Sequence, residues 1–168
     1  MENNNADYWI NQLNLLPHPE GGYYKEIFSS SEVINQRLLN QRFTGNRKYY
    51  TSIYFLIKDE QVSHFHRIKS DEIWSFHAGD VLDIHVIDEN GNYSIRKLGL
   101  NTEKEELPQQ IVKAGSWFGA SLNQQNGFVL VGCFVSPGFD FNDFELGDRS
   151  ELLKLYPEHK RIIEKLTV

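Results

Sequence analysis

The chain has 168 residues, of which 40% are hydrophobic and 13% aromatic, and it carries a net charge of −6. That length and apolar content suit one folded domain, residues 1–168, with a sizeable core, and they exclude a disordered chain. The acidic balance and the lack of any basic cluster argue against nucleic acid as a partner.

The longest apolar runs, at Ile53 to Ile57 and Phe128 to Val135, have the length of strands. None approaches the ~20 residues that span a bilayer, so no membrane association is expected. The first five residues, Met-Glu-Asn-Asn-Asn, are polar and lack a signal-peptide core. The single cysteine, Cys133, sits between Gly132 and Phe134 in an apolar run and reads as a buried thiol. These features together lead us to expect a cytoplasmic protein.

Taken in order, Asp7 to Leu15 places Trp9, Ile10 and Leu13 at helical spacing, with Asn5 or Asp7 near the N-cap. His18-Pro-Glu-Gly-Gly then marks a turn into a strand over Tyr23 to Ser29. Ser30 to Arg47 is irregular and reads as a surface excursion. From Lys48 the texture is β. Tyr49 to Ile57 is apolar on both parities, so it is expected to be covered on both faces, the outer one by a second copy of the chain. Short strands follow at Val62 to His66, Asp71 to His77, Val81 to Asp88, Tyr93 to Leu98, Gln109 to Val112, Trp117 to Ser121 and Phe128 to Val135. Turns separate them, with Asn123 to Gly127 the last, and an edge strand is expected over Phe139 to Leu146. Arg149 to Tyr156 and Pro157 to Leu166 have helical spacing, and Pro157 suits a first turn. The fold class is therefore all-β, a sandwich or barrel with helices only at its ends.

Chemistry concentrates between Ser63 and Asp80, which holds three of the six histidines. On a regular strand His64 and His66 leave the same face. Glu72 is the first candidate for a third ligand. Two imidazoles and a carboxylate suit Fe(II), Mn(II), Ni(II) or Zn(II). His66 and Glu72 also suit acid–base work with no metal, as base and orienting carboxylate. His77 falls at opposite parity from Glu72, and His85 alternates with Asp83 on what reads as a polar strand face.

The chain resembles the cupin-5 (DUF985) family of the cupin superfamily. The motifs that carry the resemblance are His-Pro-Glu-Gly-Gly-Tyr-Tyr (18–24), Thr-Ser-Ile-Tyr-Phe-Leu-Ile (51–57), Ser-His-Phe-His-Arg (63–67), Asp-Glu-Ile-Trp-Ser-Phe-His-Ala-Gly (71–79), Lys-Ala-Gly-Ser-Trp-Phe-Gly-Ala (113–120) and Val-Gly-Cys-Phe-Val-Ser-Pro-Gly-Phe-Asp-Phe (131–141). The resemblance implies a double-stranded β-helix, or jelly-roll, commonly a homodimer, with a ligand pocket inside the barrel. It also implies a His, His, Glu metal set, here His64, His66 and Glu72, without the final His, whose place Phe118 takes. Within such a pocket, Trp74 and Phe76 share parity with Glu72, and Trp117 lies near the second motif turn. These aromatics are candidates to stack on a ring, sugar or planar ligand. His18 and Glu20, in the glycine turn, are candidates either to close the pocket mouth or simply to cap the turn. Two functions stay open: an isomerase- or epimerase-like or metal-assisted enzyme acting on a small polar metabolite, and a non-catalytic binder without metal.

Overall fold

The structure, a computed structural model, describes residues 5–124 and 126–168; the polar start of the chain and the middle of the turn expected over 123–127 lie outside it. Helix α1 (Ala6–Leu13) starts where expected. The Asn5 side chain accepts the Tyr8 N–H at 2.9 Å, and Asn14, at φ 52°, ends the helix in the left-handed region. Thirteen strands follow in chain order: β1 (Leu16–Pro17), β2 (Tyr23–Ser29), β3 (Val33–Ile34), β4 (Arg47–Lys48), β5 (Thr51–Lys58), β6 (Val62–Arg67), β7 (Asp71–Gly79), β8 (Leu82–Ile87), β9 (Tyr93–Leu98), β10 (Gln109–Val112), β11 (Trp117–Leu122), β12 (Phe128–Ser136) and β13 (Glu145–Leu146). Helices α2 (Arg149–Leu155) and α3 (Lys160–Lys165) end the chain.

Eleven of the thirteen strands among the described residues form two antiparallel sheets, one in the order β1-β2-β5-β12-β7-β10 and the other β13-β6-β11-β8-β9. Their inner faces meet in a core that includes Phe55, Ile57, Trp74, Leu82, Ile84, Val86, Phe118 and Val131. Each such side chain removed from water contributes about 1.5–3 kcal/mol. The pairing β3–β4 folds the irregular excursion into a small hairpin. The edge strand expected over Phe139 to Leu146 is mostly a strap: only Glu145–Leu146 pairs, against Arg67 and His66 of β6, and a 3-10 turn occupies Phe141–Asp143.

Strand β5 is covered on both faces, but its outer cover is intrachain. Leu56 packs with Leu15 and Leu130 beneath Trp9, Ile10 and Leu13 of α1. The helix takes the place the sequence suggested for a second chain over that part of the sheet. The two tail helices cover the outside of the second sheet, where Leu152, Ile163 and Leu166 bury Phe65, Ile87 and Trp117. Among the described residues, no helix is long and apolar enough to cross a membrane.

Candidate functional site

A cavity of about 170 Å³ opens between the sheets at one end of the core. Its inner polar residues come from three places: the β1–β2 turn (His18, Glu20), β6 (His66), and the neighbouring strands β7 and β12 (Glu72, Cys133). The walls are Tyr24, Ile53, Phe55, Ile68, Val135 and three phenylalanines of the strap, Phe139, Phe141 and Phe144. Glu26 and Thr51 complete the lining.

His66 reaches this cavity because β6 is not a regular strand. Phe118 of β11 pairs with His66, but Ala120 pairs with Ser63. One residue of β11, Gly119, therefore stands opposite two of β6, which defines a bulge. Only glycine fits there, since a Cβ on Gly119 would lie 2.6 Å from the Ser63 carbonyl oxygen. The bulge puts Ser63 and His66 on the inner face and turns His64 away from it. The expectation that His64 and His66 share a face is thus corrected. His64 instead donates both its backbone N–H (2.7 Å) and its Nδ1–H (2.8 Å) to the Glu20 carbonyl. It is a clamp on the turn that carries Glu20. That turn also requires glycine at 21, where φ is +105° and a Cβ would meet the Val62 carbonyl.

Clamped this way, Glu20 points inward rather than closing the mouth. Ser63 Oγ–H donates to its Oε1 at 2.8 Å, and Oε2 lies 3.1 Å from His66 Nε2. His66 donates Nδ1–H to the His64 carbonyl at 2.8 Å, which leaves Nε2 as the lone-pair nitrogen. Glu20 must then carry the proton of that contact. Its burial agrees, since desolvation raises the Glu20 pKa against the smaller opposing effects of His18, Ser63 and His64. His66 is buried too, and desolvation lowers it to about 4, so its ring is neutral near pH 7. His18 Nδ1 accepts the Glu20 backbone N–H at 3.2 Å, and burial lowers its pKa as well.

Glu72 faces this cluster from the other sheet. Burial first, and the nearby Glu20 second, push its pKa up to about 8. The Cys133 thiol and the Trp74 indole N–H pull it back by smaller amounts. The indole falls short of a hydrogen bond, so Trp74 Nε1 is buried with no partner. The Cys133 thiol is pushed well above its ordinary range by burial, and further by Glu72 and Glu20.

Of the residues singled out in the sequence, His18, Glu20, His66 and Glu72 meet at one cavity, and His64, Trp74, Phe76 and Trp117 do not line it. Trp74 shares the inner face with Glu72 but lies deeper, 1% exposed, against Phe55 and Phe118. Phe76 lies on the same face, partly buried and packed against the core. Trp117 is on the outer face, where the Arg67 guanidinium stacks 4.5 Å from its ring. The parity of β11 explains it: Phe118 points in against His66, ring centroids 4.1 Å apart, so Trp117 points out. His77 lies outside, beside Tyr54. Cys133, Tyr24 and the strap phenylalanines were not expected on the cavity. Cys133 pairs with Ile53 on one side and Trp74 on the other, an alignment visible only once three strands are in register.

The donors do not make the metal set the resemblance implied. Direct ligation needs donor atoms about 2.0–2.2 Å from one ion. His64 is bonded to a carbonyl outside the cavity, and His66 Nε2 is taken by Glu20. Among the described residues, no three His, Cys, Asp or Glu side chains gather in an arrangement that holds an ion.

Two facing antiparallel sheets, closed around a core and open to a pocket at one end, define the jelly-roll of a cupin barrel. The chain belongs to the family described as Cupin superfamily (DUF985), which matches residues 7–147. It is 31% identical over 144 residues to the uncharacterized protein YML079W of Saccharomyces cerevisiae, covering 80% of this chain and 71% of that one. It is similar to two solved structures. Protein SO0799 from Shewanella oneidensis is 43% identical, with a TM-score of 0.88 and 98% of each chain covered. A hypothetical protein from Leishmania major is 41% identical, with a TM-score of 0.89, covering 98% of this chain and 99% of that one.

Proposed function

We propose that the barrel binds a small polar metabolite and moves a proton on it, as an isomerase- or epimerase-like enzyme without a metal step. One observation carries the reading: the His66 imidazole, whose Nε2 becomes a proton acceptor when a ligand displaces its 3.1 Å contact with Glu20, and Glu72, whose pKa is pushed up to about 8, face one apolar-walled cavity from opposite sheets. Environments that push two titratable groups apart are how a site keeps one as acceptor and the other as donor near neutral pH. Glu20 ties the imidazole to the turn, and the strap rings exclude water. The competing reading, a binder without chemistry, uses the same pocket. Ligands found by screening on the His66 ring resonances, then incubated in deuterated water, separate the two. Deuterium entering a carbon position of the ligand, and lost in Glu72→Gln, supports proton transfer. Saturable binding with no deuterium uptake at any carbon leaves the binder.

We propose further that the protein is a homodimer through the outer face of the first sheet. Phe28 and Phe134 flank Ser52 in register, and Ile73 and Ile111 extend the row across β7 and β10. Phe28 is 63% exposed and Phe134 39%, and Tyr50 stacks on Phe134 at 5.6 Å. An apolar row crossing the sheet in this way supports a second copy as its cover. Light scattering at micromolar concentration is expected to give twice the chain mass, and Phe134→Lys to give a folded monomer. A monomeric wild type removes the proposal.

A further inference from the structure

We infer that the barrel cavity is built for an organic cation, a primary or quaternary ammonium group on a small apolar body. The inference rests on the ligand-pocket reading above and adds to it the charge of the ligand. The lining holds three carboxyl side chains, Glu20, Glu26 and Glu72, and no lysine or arginine. The basic residues closest in sequence to the His66 strand are engaged elsewhere. Arg67 makes a bidentate pair with Glu145 on the outside, at 2.7 and 3.0 Å, and Lys69 sits 3.4 Å from Asp143. A carboxylate or phosphate ligand would find no counter-charge in this lining, which disfavours phosphorylated and nucleotide-linked metabolites.

Glu72 is the feature that asks for a ligand. It is 7% exposed, it lines the cavity, and the groups nearest it are the Glu20 carboxyl, a thiol and an indole N–H, none of them a cation. Aromatic rings line the same cavity. Phe139, Phe141 and Phe144 pack edge to face with centroids 5.0 to 6.3 Å apart, and Tyr24 and Phe55 add two more rings. Aromatic faces attract a cation through the ring quadrupole, and several of them around one carboxyl recognise ammonium groups. The cavity of about 170 Å³ has room for such a head group and a short arm.

Three probes of one shape and different charge test this: choline, 3,3-dimethylbutan-1-ol and 3,3-dimethylbutanoate. Titration calorimetry and the His18 and His66 ring resonances follow binding to the full chain. Choline is expected to saturate at millimolar concentration or below, about tenfold tighter than the alcohol, and the acid to leave both signals unchanged. Glu72→Gln is expected to bring choline to the level of the alcohol. Phe144→Leu, which keeps apolar volume but removes a ring face, is expected to weaken choline more than the alcohol. An acid that binds as well as choline, or an alcohol that matches it, overturns the cation and leaves the pocket reading standing. Choline binding that survives both substitutions, or leaves the ring resonances still, places it elsewhere and overturns the inference. Silence from all three probes also overturns it, and the screening and deuterium experiment then decides separately whether the pocket binds anything.

Discussion

Glu72→Gln is expected to change how stability depends on pH more than it changes stability at any one pH. Burial raises the Glu72 pKa in the fold to about 8, against an ordinary value of 4.5. Between those values the folded chain holds a proton that the unfolded chain has lost, so stability falls as pH rises across the window. The loss is at most about 1.4 kcal/mol for each unit of pKa difference. Glutamine has no proton to lose, so the variant gains on the wild type as pH rises through the window. The opposite limb belongs to the histidines. Burial holds both His66 and His85 to about 4, so their stability is present above 6.5 and is lost as pH falls from there through 4. The two limbs oppose each other below pH 6.5, and the clean comparison lies between about 6.5 and 8. Urea denaturation midpoints at these two ends are the measurement. Parallel wild-type and variant curves would mean that Glu72 ionises in the fold as it does in water.

Asp143→Ala is expected to cost about 3–5 kcal/mol of stability, the range for stranding one member of a buried ion pair. Arg47 donates to Asp143 through Nε and Nη2, both at 2.6 Å, and the two residues are 4% and 6% exposed. Alanine leaves the guanidinium buried with the Asn46 carbonyl, at 2.8 Å, and the face of the Phe43 ring, 5.6 Å away, but no counter-charge bonded to it. Asp143 ends the 3-10 turn between Phe141 and Phe144, so the aromatic wall of the cavity loses its anchor in the same step. Choline binding is therefore expected to weaken along with folding. Replacing both members, Arg47→Met with Asp143→Leu, is expected to recover most of the stability, because no charge is then left stranded. A single-variant loss below about 1 kcal/mol would show that water reaches the pair, as it does at a surface bridge.

The strands were legible because apolar runs and turn residues alternate at strand length. The N-terminal helix was legible from Asn5 and the spacing of Trp9, Ile10 and Leu13. The pocket was legible only in part. Strand parity works while each residue faces one partner. At the bulge two residues of β6 face Gly119, so the side of His64 depends on a residue more than fifty positions away. Glu20 points inward because Gly21 adopts a positive φ, which the Gly-Gly pair permits but does not dictate. Trp74 shares the face of Glu72, yet sharing a face does not fix depth: Glu72 borders the cavity and Trp74 packs beyond it against Phe55 and Phe118. The strap aromatics gave no periodic signal, since Phe139, Phe141 and Phe144 belong to a turn positioned by a distant arginine.

The bulge in β6 has one more attachment. Phe65, beside His66, donates its backbone N–H to the Leu166 carbonyl at 2.6 Å, and its own carbonyl accepts the Gly147 N–H at 2.7 Å. The last turn of the chain and the segment leading into α2 thus hold the strand from outside, while His66 faces the cavity on the inside. Helix docking and imidazole placement are therefore expected to loosen together. The Phe65 amide is a natural reporter of that unit. Its exchange with solvent is expected to report how often the tail lifts and frees the strand that aims the imidazole.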